Sequence, residues 1–590
     1  MTSTSPLPPA QLRYNRFLLL VAGLGGLLYG VDVGIIAGAL PYLEATSGLT
    51  SGQLSFIVAA VLLGGVISTL FAGMLADLIG RKWLMALSGV LFVISIPVIA
   101  LAQGYGPLVW GRLLQGISGG LIGVVVPLYL AECLDASDRG KGTGIFQWLL
   151  TLGIMAAAFI GLYFSHQVDN VAKLGNAVQL LAVKDHAWRS IFWVSLPPGV
   201  LFVLGSFMVA ESPRWLFRRG RTEAARTALL RSRSEEQAAV ELKEMETTAA
   251  AEKAKSASGG QAGRESLLHR KYVIPFVLAC VILACNQATG INSIIAYVVN
   301  ILLQGGLSDF RAHGGSVLLT IVNFVVTMAG VALVDRKGRK FLLSLGTAGI
   351  IASLFCVGIV FRNVESRKVD CREAAQAMVT PDQTLKFSYN ADTAARLLRG
   401  GGAAERPTTL IIIYSYGDFR AATPAVRSDD PAAKPIAITR GSCVPDTKVA
   451  AFFANPFGSL DASTNAPLRI ENALITPVPS SANGWLVAVL LFVFMAFYAV
   501  GPGVCVWLAL SELMPTRIRS NGMSIALLLN IAVSTIIAGV FLPTVGKYGY
   551  ATMFFLFAGC TVIYFITAAF FLPETKGKTL EEIEAHFEGS

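Results

Sequence analysis

Long apolar runs, separated by short polar loops, repeat along the whole chain. Runs long enough to cross a bilayer cover about residues 17–40, 54–76, 83–103, 107–131, 145–165, 189–210, 272–303, 315–335, 341–361, 485–511, 522–545 and 550–572. None of them alternates with period two, as a membrane-spanning strand does. The pattern predicts an all-α membrane protein with twelve transmembrane helices in two groups of six.

Two longer polar segments interrupt this pattern. Residues 211–271 are a charged linker with helical periodicity, and residues 362–484 are an insert between the ninth and tenth helices, with strand-like runs such as TTLIIIYSYG. Because the insert interrupts the pattern at a single point, we expect it to lie at the periphery. The predicted units are an N-terminal bundle at 1–210, the linker, helices 7–9 at 272–361, the insert, helices 10–12 at 485–572 and a tail at 573–590.

The charged residues indicate how the helices are oriented. Only 14% of the 590 residues are charged, against roughly 25% in soluble proteins. The net charge of +10 comes from basic residues in short loops, a pattern that favours membrane topology over a nucleic-acid interface. Alternate loops hold most of them: Arg13, Arg16, Arg81, Lys82, Arg139, Lys141, Arg336, Lys337, Arg339, Lys340, Arg517, Arg519, Lys576 and Lys578.

The positive-inside rule therefore places both termini and the linker in the cytoplasm and the insert on the outer side. The polar N-terminal segment has no cleavage site before the first apolar run, so we expect no removable signal peptide. These features fit a plasma membrane, and a bacterial inner membrane best. On the outer side, Cys371 and Cys443 of the insert would either form a disulfide or remain two free thiols, and the sequence leaves both open.

The two groups of helices repeat each other. GMLADLIGRK (73–82) corresponds to GVALVDRKGRK (330–340), AECLDASDRG (131–140) to SELMPTRIRS (511–520), and ESPR (211–214) to PETKG (573–577). Three motif pairs recur in the same order at the ends of equivalent helices, so chance is a poor explanation. Parallel repeats of six helices imply two bundles related by an axis along the membrane normal, with a site between them.

Further motifs make the resemblance specific. They are GxLxYGxDxGxIxGA in helix 1, GRLLQG and PLYLAE in helix 4, ESPRWL after helix 6, NQATGIN in helix 7, VDRKGRK after helix 8, GPG…W…SELMP in helix 10 and the final PETKG. With these motifs in this order, the chain resembles the sugar porters of the major facilitator superfamily over all twelve helices, the insert excluded. The resemblance implies the major facilitator fold and sugar transport by alternating access.

Charged residues in the repeated loops predict a network on the cytoplasmic face. Carboxylates and arginines at helix ends form charge-assisted hydrogen bonds, and such a network would hold only while that face is closed. The alternative is that they are topology anchors. Leu78 stands where the family usually has a basic residue. The candidates are Asp77, Arg81, Glu132 and Arg139 in the first half and Asp335, Arg339, Glu512 and Arg519 in the second.

Amides on several helices predict a sugar site. Amides both donate and accept hydrogen bonds, as sugar hydroxyls require, although they also join transmembrane helices to each other. At family positions the departures Val31, Ala296 and Ile531 suggest a pocket of different width. The resemblance implies a substrate site made of Gln147, Asn286, Gln287, Asn292, Asn323, Asn530 and the ring of Trp507.

Asp32 is a single carboxylate inside the first apolar run, and Arg112 lies at a compatible depth in helix 4. Pairing removes much of the cost of burying each charge. The family's uniporters commonly have asparagine at this position, so Asp32 favours proton-coupled symport of a monosaccharide. The alternatives are a uniporter with a structural Asp32–Arg112 pair and a sugar sensor. We expect no enzymatic activity, cofactor or nucleic-acid partner; the expected partners are a monosaccharide, protons and the lipid bilayer, with the monomer as functional unit.

Overall fold

The computed structural model describes residues 8–134, 136–257, 269–398, 407–430, 433–448, 451, 455, 457–514, 518–574 and 587. The side chains of residues 136–143, 248–249, 251–257, 335, 507–512 and 519–521 are outside the described part. Within the described part, 12 helical segments are long and apolar enough to cross a membrane. The prediction of an all-α membrane protein with twelve transmembrane helices is therefore confirmed.

We number these segments as spans 1 to 12 along the chain. Spans 1 to 6 are Pro9–Ser47, Ser51–Ile79, Arg81–Ala100, Tyr105–Cys133, Ala136–Ala172, and the helix pair Ala177–Trp193 and Leu196–Met208. Span 7 is the pair Arg270–Ala288 and Ile291–Gln304, and spans 8 and 9 are Asp309–Lys337 and Arg339–Glu365. Span 10 is the pair Ser481–Val500 and Pro502–Leu513, and spans 11 and 12 are Arg519–Tyr548 and Tyr550–Ile566, the last continued by a π-helical turn at Thr567–Phe571.

Spans 7 and 10 are interrupted where the sequence carries helix-breaking residues. In span 7, Gly290 adopts a left-handed backbone with φ +82°, and the ring of Phe557 occupies the space that a Cβ would need. Only glycine meets both conditions. In span 10 the helix breaks at Gly501, directly before Pro502, which has no backbone N–H to donate. At each break the chain begins a second helix, so each of these spans consists of two helices.

The spans form two halves that meet along three seams. In the first half span 1 packs against span 5 and span 2 against span 4, and in the second half span 9 packs against spans 10 and 12. Between the halves, span 2 packs on span 11, span 5 on span 8 and span 1 on span 7. The largest apolar core spreads over both halves, and each half also has a smaller core of its own.

The linker continues from span 6 as three helices, Pro213–Arg218, Thr222–Leu230 and Glu235–Ala257. It is fastened to the first half by hydrogen bonds. The Arg233 guanidinium donates to the carbonyl of Cys133 over 2.8 Å, and the side-chain amide of Gln11 donates to the carbonyl of Arg233, also over 2.8 Å. We call this end of the bundle, which carries Asp77, Arg81 and Glu132, the motif face.

The insert is a small β-sheet unit with its own apolar core. Its strands are β1 (Val369–Asp370), β2 (Leu385–Phe387), β3 (Thr408–Tyr416), β4 (Phe419–Ala422), β5 (Val426–Arg427), β6 (Ile436–Ile438) and β7 (Leu468–Pro477). The main sheet has the order β1-β7-β3-β4, with β5 on β3, and β2 pairs with β6. All pairings are antiparallel, and the central β3–β7 ladder has a bulge between Ile413 and Tyr414. Helices Arg372–Gln376, Ala391–Leu397 and Leu460–Thr464 flank the strands, and both Cys371 and Cys443 are free thiols.

We expected the insert to lie at the periphery. Instead it sits on the end of the bundle opposite the motif face and contacts several spans. We call that end the insert face. Lys184 of span 6 forms an ion pair with Asp430 of the insert at 3.0 Å, and the Ser51 hydroxyl of span 2 donates to the Thr423 carbonyl over 3.1 Å. The insert also contacts span 11, because strands β3 and β4 pack on that helix. A segment that belongs covalently to the second half is therefore in contact with both halves.

Candidate functional site

A buried ion pair joins span 1 to span 4. A guanidinium nitrogen of Arg112 lies 3.7 Å from a carboxylate oxygen of Asp32, and each residue is only 2% exposed. The same nitrogen donates to the side-chain carbonyl of Gln115 over 2.6 Å. Gly119 lets Asp32 approach span 4, because a Cβ there would be 2.9 Å from the carboxylate.

This pair is incompletely hydrogen-bonded. One carboxylate oxygen of Asp32 and the Nε of Arg112 are buried with no hydrogen-bond partner among the described residues. The separation of 3.7 Å is longer than a charge-assisted hydrogen bond of about 2.7–2.9 Å. The two charges therefore compensate each other mainly through space, and few hydrogen bonds would be lost if the carboxylate took up a proton.

A chain of amides runs between span 7 and span 11. The Gln287 side chain donates to Asn530 over 3.0 Å, and Asn292 donates both to Gln287 over 3.0 Å and to the Ser534 hydroxyl over 2.8 Å. Asn530 in turn donates to the carbonyl of Leu283 over 3.1 Å. The break at Gly290 makes this possible, because it brings residues from both helices of span 7 to one place.

The structure places the other predicted sugar-site residues apart from this chain. Asn286 is buried and its side-chain amide donates to the Tyr498 hydroxyl at 3.4 Å, while its side-chain oxygen Oδ1 has no partner among the described residues. Gln147 is exposed on span 5 and Asn323 is half-buried on span 8, and neither side chain bonds to another described residue. The side chain of Trp507 lies outside the described part.

Ser534 and Tyr498 are neighbours of the amides that sequence reasoning missed. Ser534 follows Asn530 by four residues, so the helical period places both on one face of span 11. The four-residue spacing could therefore have identified Ser534 as a neighbour of Asn530 from the sequence alone. Tyr498 precedes the break in span 10, and its contact with span 7 depends on tertiary packing, so no local pattern pointed to it.

On the motif face, Arg81 is the centre of a network within the first half. Its guanidinium contacts Asp77 at 2.8 Å and Glu132 at 2.9 Å, and it donates to the Ala76 carbonyl over 3.0 Å. The hydroxyl of Ser212 donates to the same Glu132 carboxylate. The predicted Asp77, Arg81 and Glu132 thus lie together, whereas the side chain of Arg139 is outside the described part.

Glu211 caps the beginning of span 3. It accepts hydrogen bonds from the backbone N–H groups of Arg81 at 2.9 Å and Lys82 at 3.0 Å. Gly80 lies so close to this carboxylate that a Cβ there would collide with it. Burial raises the pKa of Glu211, and the backbone N–H groups and the charge of Arg81 counteract that shift.

Glu574 makes the equivalent contacts in the second half. It accepts from the backbone N–H groups of Arg339 at 3.1 Å and Lys340 at 3.2 Å, beside Gly338. The repeat in sequence is thus also a repeat in contacts, although the motifs ESPR and PETKG had not suggested capping roles for their glutamates. The side chains of Asp335, Glu512 and Arg519, the other predicted members here, lie outside the described part.

Hydrogen bonds between the halves, where both partners are described, lie at the insert face. Tyr42 donates to Asp309 over 2.6 Å, and Asn300 donates to Glu44 over 2.7 Å. The hydroxyls of Ser55 and Tyr297 lie 3.2 Å apart. These contacts close the bundle at the insert face, and they were not predicted from the sequence. Within the described residues, no group of His, Cys, Asp and Glu could hold a metal ion.

The comparison with known families gives the molecule its place. The model of the family "Sugar (and other) transporter" matches residues 18–380 and 469–587. The chain belongs to this sugar porter family. It is a multi-pass membrane protein that transports sugars or related solutes, and the identification of its family from the motifs is confirmed. Residues 381–468, which form most of the insert, lie outside the family match.

Relatives of the chain include transporters from distant organisms. It is 26% identical over 576 residues to the glucose transporter GlcP of Staphylococcus epidermidis, covering 97% of each chain. It is 27% identical over 572 residues to the human proton myo-inositol cotransporter, covering 96% of this chain and 81% of that protein. Among solved structures, the inward-open xylose transporter XylE from E. coli matches with a TM-score of 0.62 and 21% identity, over 96% of this chain and 98% of that one. This last similarity supports the fold alone.

Proposed function

We propose that the protein is a proton-coupled symporter of a monosaccharide, a hexose or a pentose, that works by alternating access. The observation that carries the proposal is the buried Asp32–Arg112 pair, because a titratable carboxylate inside a transmembrane bundle is a functional site by default. Proton binding to Asp32 removes its attraction to Arg112. Span 1 is then released from span 4, which helps the halves move.

The amide chain of Gln287, Asn292, Asn530 and Ser534 is the proposed core of the sugar site. It offers donors and acceptors between spans 7 and 11. These groups bond to one another, so a sugar that binds there must replace those bonds with equivalent ones. The predicted Gln147, Asn286, Asn323 and Trp507 remain candidates for contacts made when the halves rearrange.

The contacts at the insert face describe one state of the proposed cycle, in which that face is closed. Opening it requires the bonds Tyr42–Asp309 and Asn300–Glu44 to break. The networks around Arg81 and Arg339 are proposed to favour the opposite state, in which the motif face is closed. Their other predicted members are Arg139, Asp335, Glu512 and Arg519. The insert face is assigned to the outside and both termini to the cytoplasm, in a plasma membrane of bacterial inner-membrane type, from the distribution of basic residues.

The names of two relatives support proton-coupled transport. The human proton myo-inositol cotransporter and the arabinose-proton symporter of Bacillus subtilis favour coupling. A uniporter is the second candidate, because Arg112 is held by Gln115 at 2.6 Å and the ion pair is fully buried, as a structural pair would be. The sensor alternative has less support, because the family to which the chain belongs is one of transporters. We further propose that the monomer is the working unit and that the protein has no enzymatic activity.

The test is uptake by the purified full chain in proteoliposomes, with D-glucose, D-xylose, L-arabinose and myo-inositol assayed with and without an imposed proton gradient. Accumulation that depends on the gradient, together with proton uptake driven by the sugar, is the expected result. Equal uptake with and without the gradient would identify a uniporter. Binding of a sugar without uptake would identify a sensor.

A further inference from the structure

A cavity of about 680 Å³ lies between the insert and the insert-face ends of both halves. Spans 1, 5 and 6 of the first half line it, together with spans 7 and 8 of the second half and residues of the insert. Its volume is in the range of small-molecule sites, about 300–1,000 Å³. Because three separate parts of the molecule form its wall, a ligand bound there would touch all three.

The chemistry of the wall favours a neutral ligand. Four cationic and five anionic side chains line the cavity, so their charges nearly balance. Several of them are already engaged: Lys184 with Asp430 at 3.0 Å, and Arg427 with Asp429 at 2.8 Å. These pairs leave little net field for an ion. The remaining wall supplies hydroxyls, amides and aromatic rings, which suit a polyhydroxylated molecule: Tyr42, Thr50, Asn300, Gln304, Ser308, Tyr414 and Ser442.

Asn300 provides an unused acceptor in this wall. Asn300 is 7% exposed, and its side-chain amide donates to Glu44 over 2.7 Å. Its side-chain oxygen Oδ1 is buried without a partner among the described residues. An unsatisfied buried acceptor costs about 1–3 kcal/mol, and a ligand hydroxyl would remove that cost. The bond between Asn300 and Glu44 also joins the halves, so a hydroxyl that bonds to either residue competes with closure.

We propose that the cavity under the insert is a second, outer binding site for a neutral polyhydroxylated solute, occupied before that solute passes between the halves. This inference rests on the proposed function, since it names the same class of solute. Occupancy weakens the Asn300–Glu44 bond and so favours opening of the insert face. The insert then contributes residues of its own to solute recognition.

The test uses Ala437, an exposed residue of strand β6 that lines the cavity. The full-length Ala437→Cys variant is labelled with a membrane-impermeant maleimide, and the labelling of the wild type is subtracted for its native cysteines. The probes are D-glucose, D-xylose and myo-inositol. A bound probe shields the thiol, so labelling slows about tenfold when the probe is at about ten times its dissociation constant. Ala462→Cys, on the exposed helix Leu460–Thr464 outside the cavity, is the matched control and stays unprotected.

Two additional variants separate this inference from the proposed function. Protection should persist when Gln287→Ala is added, because that change affects only the central amides, and it should weaken when Asn300→Leu is added. If a probe is transported but none protects Ala437→Cys, the outer site is refuted and the symporter proposal stands. If protection occurs without transport of any probe, the symporter proposal fails and the outer site stands. If no probe is transported and none protects, both fail.

Discussion

At the scale of single residues, Asp32 has the most direct consequence. Asp32→Asn keeps the shape of the side chain but removes its charge, as permanent protonation would. We expect loss of sugar accumulation and of sugar-driven proton uptake, with counterflow retained because the central amides are untouched. Expression should fall, since removing one partner of a buried pair costs about 3–5 kcal/mol.

The measurement is sugar-driven proton uptake beside counterflow in proteoliposomes. Asp185→Asn is the matched control, because Asp185 is a carboxylate on span 6 that bonds to Arg189 at 2.9 Å and lies outside the proposed machinery. Proton movement with sugar in the Asp32→Asn variant would reduce Asp32 to a structural partner of Arg112.

Gln287 is the middle member of the amide chain, since it bonds to both Asn530 and Asn292. Gln287→Ala leaves both of them without that partner. We expect the apparent dissociation constant for the transported sugar to rise about tenfold to a hundredfold, which corresponds to about 1–3 kcal/mol. Equilibrium binding of labelled sugar measures it. Gln179→Ala, an exposed amide at the start of span 6, should change nothing, and unchanged affinity in both variants would remove Gln287 from the site.

How much of the site the sequence could predict depends on the distance between partners along the chain. Asp77 and Arg81 are four residues apart, one at the end of span 2 and the other at the start of span 3, so the short turn at Gly80 keeps them close together. Asn300 and Glu44 are 256 residues apart, and their contact depends on how two helices are rotated and how two halves meet. No periodicity carries that information. The hydrogen bonds that close the insert face could therefore not be predicted from the sequence.

At the scale of elements, the position of the insert leads to a prediction about Lys184 and Asp430. Their ion pair is mostly buried and ties the insert to span 6 of the first half. Lys184→Glu replaces attraction by repulsion, so the insert face should open more often. Taking about 1 kcal/mol for such a pair, the open fraction rises about fivefold.

The readout is maleimide labelling of Ala59→Cys, a residue buried on span 2 between the halves. Adding Asp430→Lys to Lys184→Glu restores opposite charges and should restore slow labelling. Lys173→Glu is the control. Lys173 is also at the insert face, but its ion pair is with Asp169 of the same span and not with a residue of the insert. A rate that does not respond to Lys184→Glu would show that the insert does not restrain opening.

The sequence predicted the spans as elements but not all of their interruptions. Apolar length located each span, because a bilayer imposes it. Gly501 and Pro502 are a local sequence signal for the break in span 10, whereas the break in span 7 depends on the ring of Phe557 from another span. The run TTLIIIYSYG indeed forms β3, yet its place at the centre of a sheet over the bundle depends on partners far along the chain.

At the scale of the whole molecule, a disulfide can lock the state in which the two halves are in contact at the insert face. A Cβ at Gly539 of span 11 would lie 3.5 Å from the Cβ of Ala59 of span 2. Disulfides need Cβ atoms about 3.5–4.5 Å apart. The double variant Ala59→Cys with Gly539→Cys should therefore form a disulfide under oxidation and stop transport.

Transport in proteoliposomes should return when a reductant is added, and each single variant should be insensitive to oxidation. Mass spectrometry of the linked peptides identifies the bond. If the disulfide forms in full while transport continues at the normal rate, the halves need not separate at this seam, and alternating access by this motion is excluded.

The pairing of strands β1 and β7 has a consequence for how this molecule could have been assembled. Val369 pairs with Ile475 and Asp370 with Leu474, so the chain leaves span 9 and returns towards span 10 along two strands about 5 Å apart. A segment whose two ends are adjacent can be inserted into a short loop, or removed from it, without displacing the helices on either side. The sheet of the insert is therefore a unit that can be added between spans 9 and 10 at a single junction, and the same junction is a suitable place to insert a fluorescent reporter.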